Sequence, residues 1–324
     1  MSITRTSRHR YPQLQGRARS LLWLVLVLLV ALALAAGGCQ RVSEPEVPAT
    51  QTVIDSMGRQ VELPKQIAKI VSVSPTATEI VFAVGAGDRV VGVDEYSNYP
   101  PEAQDLPKVG GYLDVNVEAI VALQPDVVLV STIHRETVEQ LGSLGIKCVV
   151  VEPRNVEDVY TAMLAVAQMS GQSGQAQSVI DQMKETIAAV AAKVRDIPAD
   201  ERRLVFYEVW DDPLMSAGPE TYIHEIIVLS GGRNLTEDAD TDYPIIGYEV
   251  VVARDPHVVI YPTYHGGIGL SAETLSDRPG WSGLTAVREN RIQGIDADIV
   301  SRGGPRIAEA VAEMARLIYP ELFR

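Results

Sequence analysis

Glu118-Ala-Ile-Val-Ala-Leu-Gln-Pro-Asp-Val-Val128 returns 131 positions later as Glu249-Val-Val-Val-Ala-Arg-Asp-Pro-His-Val-Val259. Each copy opens with an acid, continues as an apolar stretch of helical character, stops at a proline and ends in a β-branched run. A helix that ends before proline and feeds a buried strand is half of a βαβ unit. A second pair recurs at an offset of 146: Glu79-Ile80, with Gly85 six residues on, matches Glu225-Ile226 followed by Gly231. Each of these is a helix running into a glycine stop. Two copies of such units predict two similar lobes, related by duplication or by common packing needs.

Outward from these repeats the same alternation continues. Ile70-Val-Ser-Val73, Val90-Val-Gly-Val93, Val127-Val-Leu-Val130 and Cys148-Val-Val-Val151 read as buried parallel strands separated by helices. The series resumes with Leu204-Val-Phe-Tyr207, Val258-Val-Ile-Tyr261 and a weaker run at Arg291-Ile292. Between the two sets, residues 173–195 hold Ala176, Val179, Ile180, Met183, Ile187, Val190, Ala191 and Val194, the stripe of one long helix. The fold class expected is α/β: two Rossmann-like lobes with parallel sheets, joined by one rigid helix, with a ligand cleft between them. The expected divisions are 53–172 for the first lobe, 173–197 for the helix and 198–324 for the second lobe. Val53-Ile-Asp55 and Gln60-Val-Glu-Leu63 flank Ser56-Met-Gly-Arg59 and predict a hairpin that Pro64 closes.

The chain begins with an address. Five arginines and no acid precede residue 20, an apolar run of 16 residues follows from Leu21 to Ala36, and Ala36-Gly-Gly-Cys39 closes it. That is a signal peptide, since the run is shorter than the ~20 residues that span a bilayer. Small residues before a cysteine look like a bacterial lipobox, with cleavage after residue 38 and acylation of Cys39; an uncleaved anchor is the alternative. Residues 39–52 read as a lipidated tether. Either way the remainder lies outside the cytoplasm, anchored to the cell membrane.

Overall charge is −14 in 324 residues, and without residues 1–38 the chain keeps 23 basic against 42 acidic side chains, a charge of −19. A phosphate backbone would be repelled, so nucleic acid is not an expected partner. With 46% apolar and 22% charged residues the body is globular. Two cysteines are too few for a disulfide framework or a thiolate metal site. No GxSxG, P-loop or GxGxxG pattern occurs, so no enzymatic activity is expected.

In parallel α/β sheets ligands bind beyond the carboxyl ends of strands. Tyr112 and Tyr243, each six residues before a repeated glutamate, place one aromatic on each lobe and suit a large planar or macrocyclic ligand. Tyr96, Tyr99 and Trp210 are candidates to join them. His134 and His265, each nine residues after a repeated proline, are either imidazole ligands to a metal or solvated loop histidines. Glu118 and Glu249 suit the first turn of a helix and also docking onto arginines of a symmetric partner. Arg302, at the start of the final helix, holds an anionic or amide-bearing ligand group or is solvated.

Taken jointly, residues 70–79 (Ile-Val-Ser-Val-Ser-Pro-Thr-Ala-Thr-Glu) through Gly92, Tyr96-Ser-Asn-Tyr-Pro-Pro-Glu-Ala103, residues 117–126 and Pro213-Leu-Met-Ser-Ala-Gly218 resemble the class III substrate-binding proteins of ABC importers, the iron-siderophore and cobalamin type. The resemblance covers roughly residues 53–323. It implies a ligand held between lobes that move only slightly. It also implies delivery to an ABC permease dimer with ATPase subunits, and two glutamates, by position Glu118 and Glu249, that meet permease arginines. Ser74, Tyr96, Tyr112, Tyr243, Trp210, His265 and Arg302 are the expected ligand contacts. Within the family, residues 96–101 look most like the cobalamin binders, so a corrinoid is expected, with haem or a ferric siderophore as alternatives, and the protein is expected to be monomeric. A receptor subunit presenting ligand to a sensor would use the same fold.

Overall fold

The computed structural model describes residues 49–263 and 270–324. It opens with an antiparallel hairpin, β1 (Thr50–Ile54) paired with β2 (Gln60–Pro64). The Asp55 carboxylate holds the turn by accepting the backbone N–H groups of Met57 and Arg59 and by pairing with the Arg59 guanidinium. Residues 50–52, assigned above to the tether, are therefore strand. Only Val53 of β1 is buried, so this edge strand lacks the apolar pattern that would announce it.

The first sheet contains β3 (Ile70–Ser72), β4 (Val90–Val93), β5 (Val127–Val130) and β6 (Cys148–Val150), all parallel, in the spatial order β4-β3-β5-β6. Helices α1 (Pro75–Ala83), α2 (Val117–Leu123) and α3 (Arg135–Ser143) make the crossovers. Every residue of β3, β5 and β6 is buried, as a parallel sheet covered on both faces requires. The chain then runs through α4 (Val156–Ser170), stops at Gly171 in the left-handed conformation, and enters the 22-residue α5 (Ser173–Val194).

The second sheet follows: β7 (Leu204–Trp210), β8 (Met215–Ser216), β9 (Arg233–Asn234), β10 (Val258–Pro262) and β11 (Ile292–Ile295). Its helices are α6 (Tyr222–Leu229), α7 (Tyr248–Arg254), α8 (Ala272–Ser276), α9 (Thr285–Arg288), α10 (Ala297–Ser301) and α11 (Ile307–Ile318). Strands β7, β9, β10 and β11 are parallel, while β8 lies antiparallel against the end of β7. The parallel strands stand in the order β9-β7-β10-β11, which matches β4-β3-β5-β6. The two-residue β9, the counterpart of β4, is too short to register as a hydrophobic run.

Both sequence repeats are structural. Helices α2 and α7 end on Gln124 and Asp255, left-handed residues with φ of 52° and 44° that each precede the repeated proline. Gly85 and Gly231 both adopt φ +83°. They also receive the two ends of α5: a Cβ on Gly231 would lie 2.7 Å from that of Val194, and one on Gly85 would lie 3.2 Å from Cγ of Gln175. Glycine is demanded there twice, by the backbone angle and by the approaching helix.

At ~1.5 Å per residue α5 extends about 33 Å. Its buried stripe of Ala176, Ile180, Met183 and Val190 belongs to one continuous core. That core runs from Ile80 of α1 through Met163 of α4 to Ile226 of α6 and Met314 of α11. Because interiors are close-packed, bending one lobe against the other would disturb this shared core. The helix ends at Val194, and residues 195–197 lie beyond it. Among the described residues, no helix is long and apolar enough to cross a membrane. Cys148 is a free thiol buried in β6, and burial pushes it up to about 11; Cys39 lies outside the described residues.

Candidate functional site

The carboxyl ends of the two sheets face a common cleft. A cavity of about 420 Å³ lies there, walled on one side by Thr132, Glu152 and Arg154 and on the other by Glu220, Tyr222, Asp242 and Tyr243. An adjoining cavity of about 100 Å³ is lined by Ser74, Thr76, Tyr112, Tyr222 and Ser301. Glu152, Pro153 and Tyr222 belong to both. Tyr112 and Tyr243, the repeat-related aromatics, thus line two compartments of one interlobe space.

Each tyrosine is held by its own loop. Gly110, at φ +102°, starts the turn that carries Tyr112, and any side chain there would strike the backbone of residues 114–116. The Tyr112 hydroxyl meets Ser131 Oγ at 3.1 Å. Ser131 also donates its backbone N–H to Nδ1 of His134 at 2.9 Å, and Nε2 of His134 stands 2.7 Å from the Tyr112 carbonyl oxygen. That pattern assigns a neutral imidazole whose Nε2–H donates to the carbonyl. The His134 ring packs edge-on against Tyr112, with centroids 5.3 Å apart.

Tyr243 is held by the end of β8 and the segment after it. Ser216 N–H donates to the Pro244 carbonyl at 3.1 Å, Gly218 N–H donates to that of Asp242 at 2.7 Å, and Gly218 has no room for a Cβ beside Thr241. The Pro213–Gly218 motif is thus a cradle for the Tyr243 loop. Tyr243 is 40% exposed and lines the larger compartment with Tyr222, whose hydroxyl donates to the Ser301 carbonyl at 2.7 Å. Burial pushes the Tyr112 and Tyr243 phenols above the ordinary tyrosine value and that of Tyr222 well above it.

Other expected contacts stand elsewhere. His134 is neither a solvated loop residue nor a metal donor: it is buried, and both ring nitrogens are engaged in holding the Tyr112 loop. Among the described residues, no group of three or more His, Cys, Asp or Glu side chains is placed to hold a metal ion. His265 lies outside the described residues. Trp210, 47% exposed, turns its indole N–H to the Asp212 carbonyl, and Tyr96, 57% exposed, lines neither compartment. Tyr99 stacks on the Arg306 guanidinium at 4.1 Å, away from both compartments.

Arg302 is the largest departure, because it is neither solvated nor open to a ligand. Only 8% exposed, it pairs with Glu79 and Asp298 at 2.9 Å each and donates to Asn98 Oδ1 at 2.8 Å. Arg306 adds two contacts to the same Glu79 carboxylate, at 2.9 and 2.6 Å. Since Glu79 sits on α1 and both arginines flank α10 and α11, this buried cluster ties the first lobe to the second. Its repeat partner Glu225, on α6, reaches the other way and accepts the Val156 N–H at the start of α4 at 2.8 Å. Tyr222 and Thr76, which sequence reasoning missed, are themselves related by the offset of 146; applying that offset to the cleft would have found them.

Glu118 and Glu249 are exposed in the first turns of α2 and α7. A helix that precedes a parallel strand starts at the carboxyl edge of the sheet, so both acids stand at the same edge as the cleft.

Comparison with known proteins accords with this architecture. Residues 70–299 match the model of the periplasmic binding protein family. The chain belongs to that family. An ABC transporter substrate-binding lipoprotein of Bacillus subtilis, YvrC, is 30% identical over 95% of this chain and 99% of its own. A vitamin B12-binding protein of Salmonella paratyphi A is 30% identical over 77% of this chain and 90% of its own. The periplasmic heme-binding protein RhuT of Roseiflexus, solved in its apo form, superposes with a TM-score of 0.70 at 28% identity, covering 78% of this chain and 98% of that one. The periplasmic binding protein described here is a substrate-binding component of the ABC-importer class, not an enzyme.

Proposed function

We propose that this binding protein captures a cobalamin-like corrinoid outside the cytoplasm and hands it to an ABC permease dimer driven by ATPase subunits. It does so as a monomer, anchored to the membrane through acylated Cys39. The observation that carries the ligand assignment is the pairing of Tyr112 and Tyr243 across adjoining compartments, where two amphipathic rings can bracket a broad, flat guest. Kinship with vitamin B12-binding proteins supports the same choice. Titration calorimetry with cyanocobalamin and dicyanocobinamide is expected to give saturable heat; no binding of either sinks the assignment.

The second reading is haem, favoured by the likeness to RhuT and by the tyrosines available as iron donors. Against it, the Tyr112 hydroxyl is already bonded to Ser131, and burial opposes forming the phenolate of either Tyr112 or Tyr243. A Soret shift on haem titration without corrinoid binding would establish haem instead.

For transfer, Glu118 and Glu249 are the proposed contacts to permease arginines. Truncating one partner of an interfacial charge pair costs about 2–5 kcal/mol. Glu118→Ala with Glu249→Ala should therefore abolish ligand uptake in cells while leaving the affinity of the purified protein for ligand unchanged. Unaltered uptake would remove both residues from the docking surface.

A further inference from the structure

Acids outnumber cations in the cleft. Among the described residues, its two compartments contain Glu152, Glu220 and Asp242 but one cation, Arg154, which is exposed. The nearby arginines that might have balanced them, Arg302 and Arg306, are held by Glu79. Glu152 is the acid common to both compartments. It follows β6 at the carboxyl edge of the first sheet and is half-buried. One of its oxygens, Oε2, accepts the Thr132 N–H at 3.1 Å, which fixes the carboxylate in place. Burial first, and the Glu152 charge as a lesser cause, push the Tyr112, Tyr222 and Tyr243 phenols upward. An acid that lines both compartments alongside Tyr112, Tyr222 and Tyr243 is placed to meet what they enclose.

We propose that Glu152 sets the ligand class, admitting uncharged or cationic guests whose rims carry amide N–H donors and rejecting the same guests when the rim bears a carboxylate. This rests on the reading of the cleft as a corrinoid site and narrows it. An amide donates to Glu152 where a carboxylate repels it, and like-charge juxtaposition within an interface is strongly unfavourable. Haem, with two propionates, and acidic siderophores fall in the rejected class.

The test compares cyanocobalamin with cyanocobalamin monocarboxylic acids, which differ by one hydrolysed amide and so hold shape nearly constant. Wild-type protein should bind at least one monocarboxylate isomer about tenfold or more weakly than the parent, with the gap shrinking as salt is added. In Glu152→Gln, whose amide oxygen can still accept the Thr132 N–H, that gap should close to within about twofold. The Arg154→Gln variant should widen it. If the parent binds and Glu152→Gln leaves the ratio unaltered, Glu152 is not the discriminating group, although the corrinoid assignment stands. Wild-type protein that binds haem as tightly as cyanocobalamin overturns the charge rule in the same way. Absence of binding by cyanocobalamin itself removes the corrinoid reading and this inference together.

Discussion

Glu79→Ala lowers the free energy of unfolding by roughly 3–5 kcal/mol, the loss expected when one partner of a buried ion cluster is removed. Glu79 is 2% exposed and is the carboxylate that Arg302 and Arg306 share. Its removal leaves Arg302 with Asp298 and takes from Arg306 the carboxylate to which it donates. For a body of this size the melting temperature should fall by roughly 10 °C. The cost lies in stranded charge rather than in lost attraction, so a second change that removes the strongest orphan should restore stability. Glu79→Ala with Arg306→Leu is expected to be more stable than Glu79→Ala alone. Urea unfolding monitored by tryptophan fluorescence reads both quantities. A loss below about 1 kcal/mol for Glu79→Ala would mean that the cluster contributes no more than an exposed salt bridge.

The cluster also bears on function. It joins α1 to the segment between α10 and α11, and through Asn98 and the Tyr96 carbonyl it fixes the loop after β4 that carries residues 96–98. Glu225 and Val156 make the matching tie in the opposite direction. Together with the core that α5 threads through both lobes, these ties favour a cleft whose width is set before ligand arrives. Preorganisation of that kind reduces the ordering cost of binding.

Tyr112→Ala with Tyr243→Ala lowers affinity for the corrinoid by about a thousandfold. Truncation of a central aromatic typically costs 2 kcal/mol or more, or roughly thirtyfold each, and residues on separate loops should add. Phenylalanine at the same positions separates ring from hydroxyl. Tyr243→Phe and Tyr112→Phe should each stay within about fivefold of wild type, because the rings bracket the guest and the Tyr112 hydroxyl bonds to Ser131. Should either phenylalanine variant bind as weakly as alanine, the hydroxyls themselves are ligands, as iron coordination would require. Circular dichroism and melting temperature guard against misfolding of the alanine pair.

Much of this architecture was legible in the chain. Buried parallel strands such as Val127–Val130 announce themselves as unbroken β-branched runs, and the offset of 131 located Tyr243 from Tyr112. The periodic stripe of residues 173–195 identified the connecting helix, which ends at Val194. What escaped detection was short or polar: β9 spans Arg233 and Asn234 only, and residues 50–52, the polar start of β1, read as tether. The site was harder to read than the fold. Arg302 and His134 carry side chains that suit ligands, yet both are consumed by partners that no local pattern reveals, since Glu79 lies 223 positions from Arg302 and Tyr112 lies 22 from His134. Glu152 belongs to no repeat, and only the convergence of two sheets makes it central.

A crystal structure of the full chain with cyanocobalamin tests the central claim most directly. The account predicts the macrocycle in the interlobe cleft, flanked by the rings of Tyr112 and Tyr243, with an amide of its rim toward Glu152. A corrinoid seated elsewhere, or rings turned from it into the lobes, would contradict it.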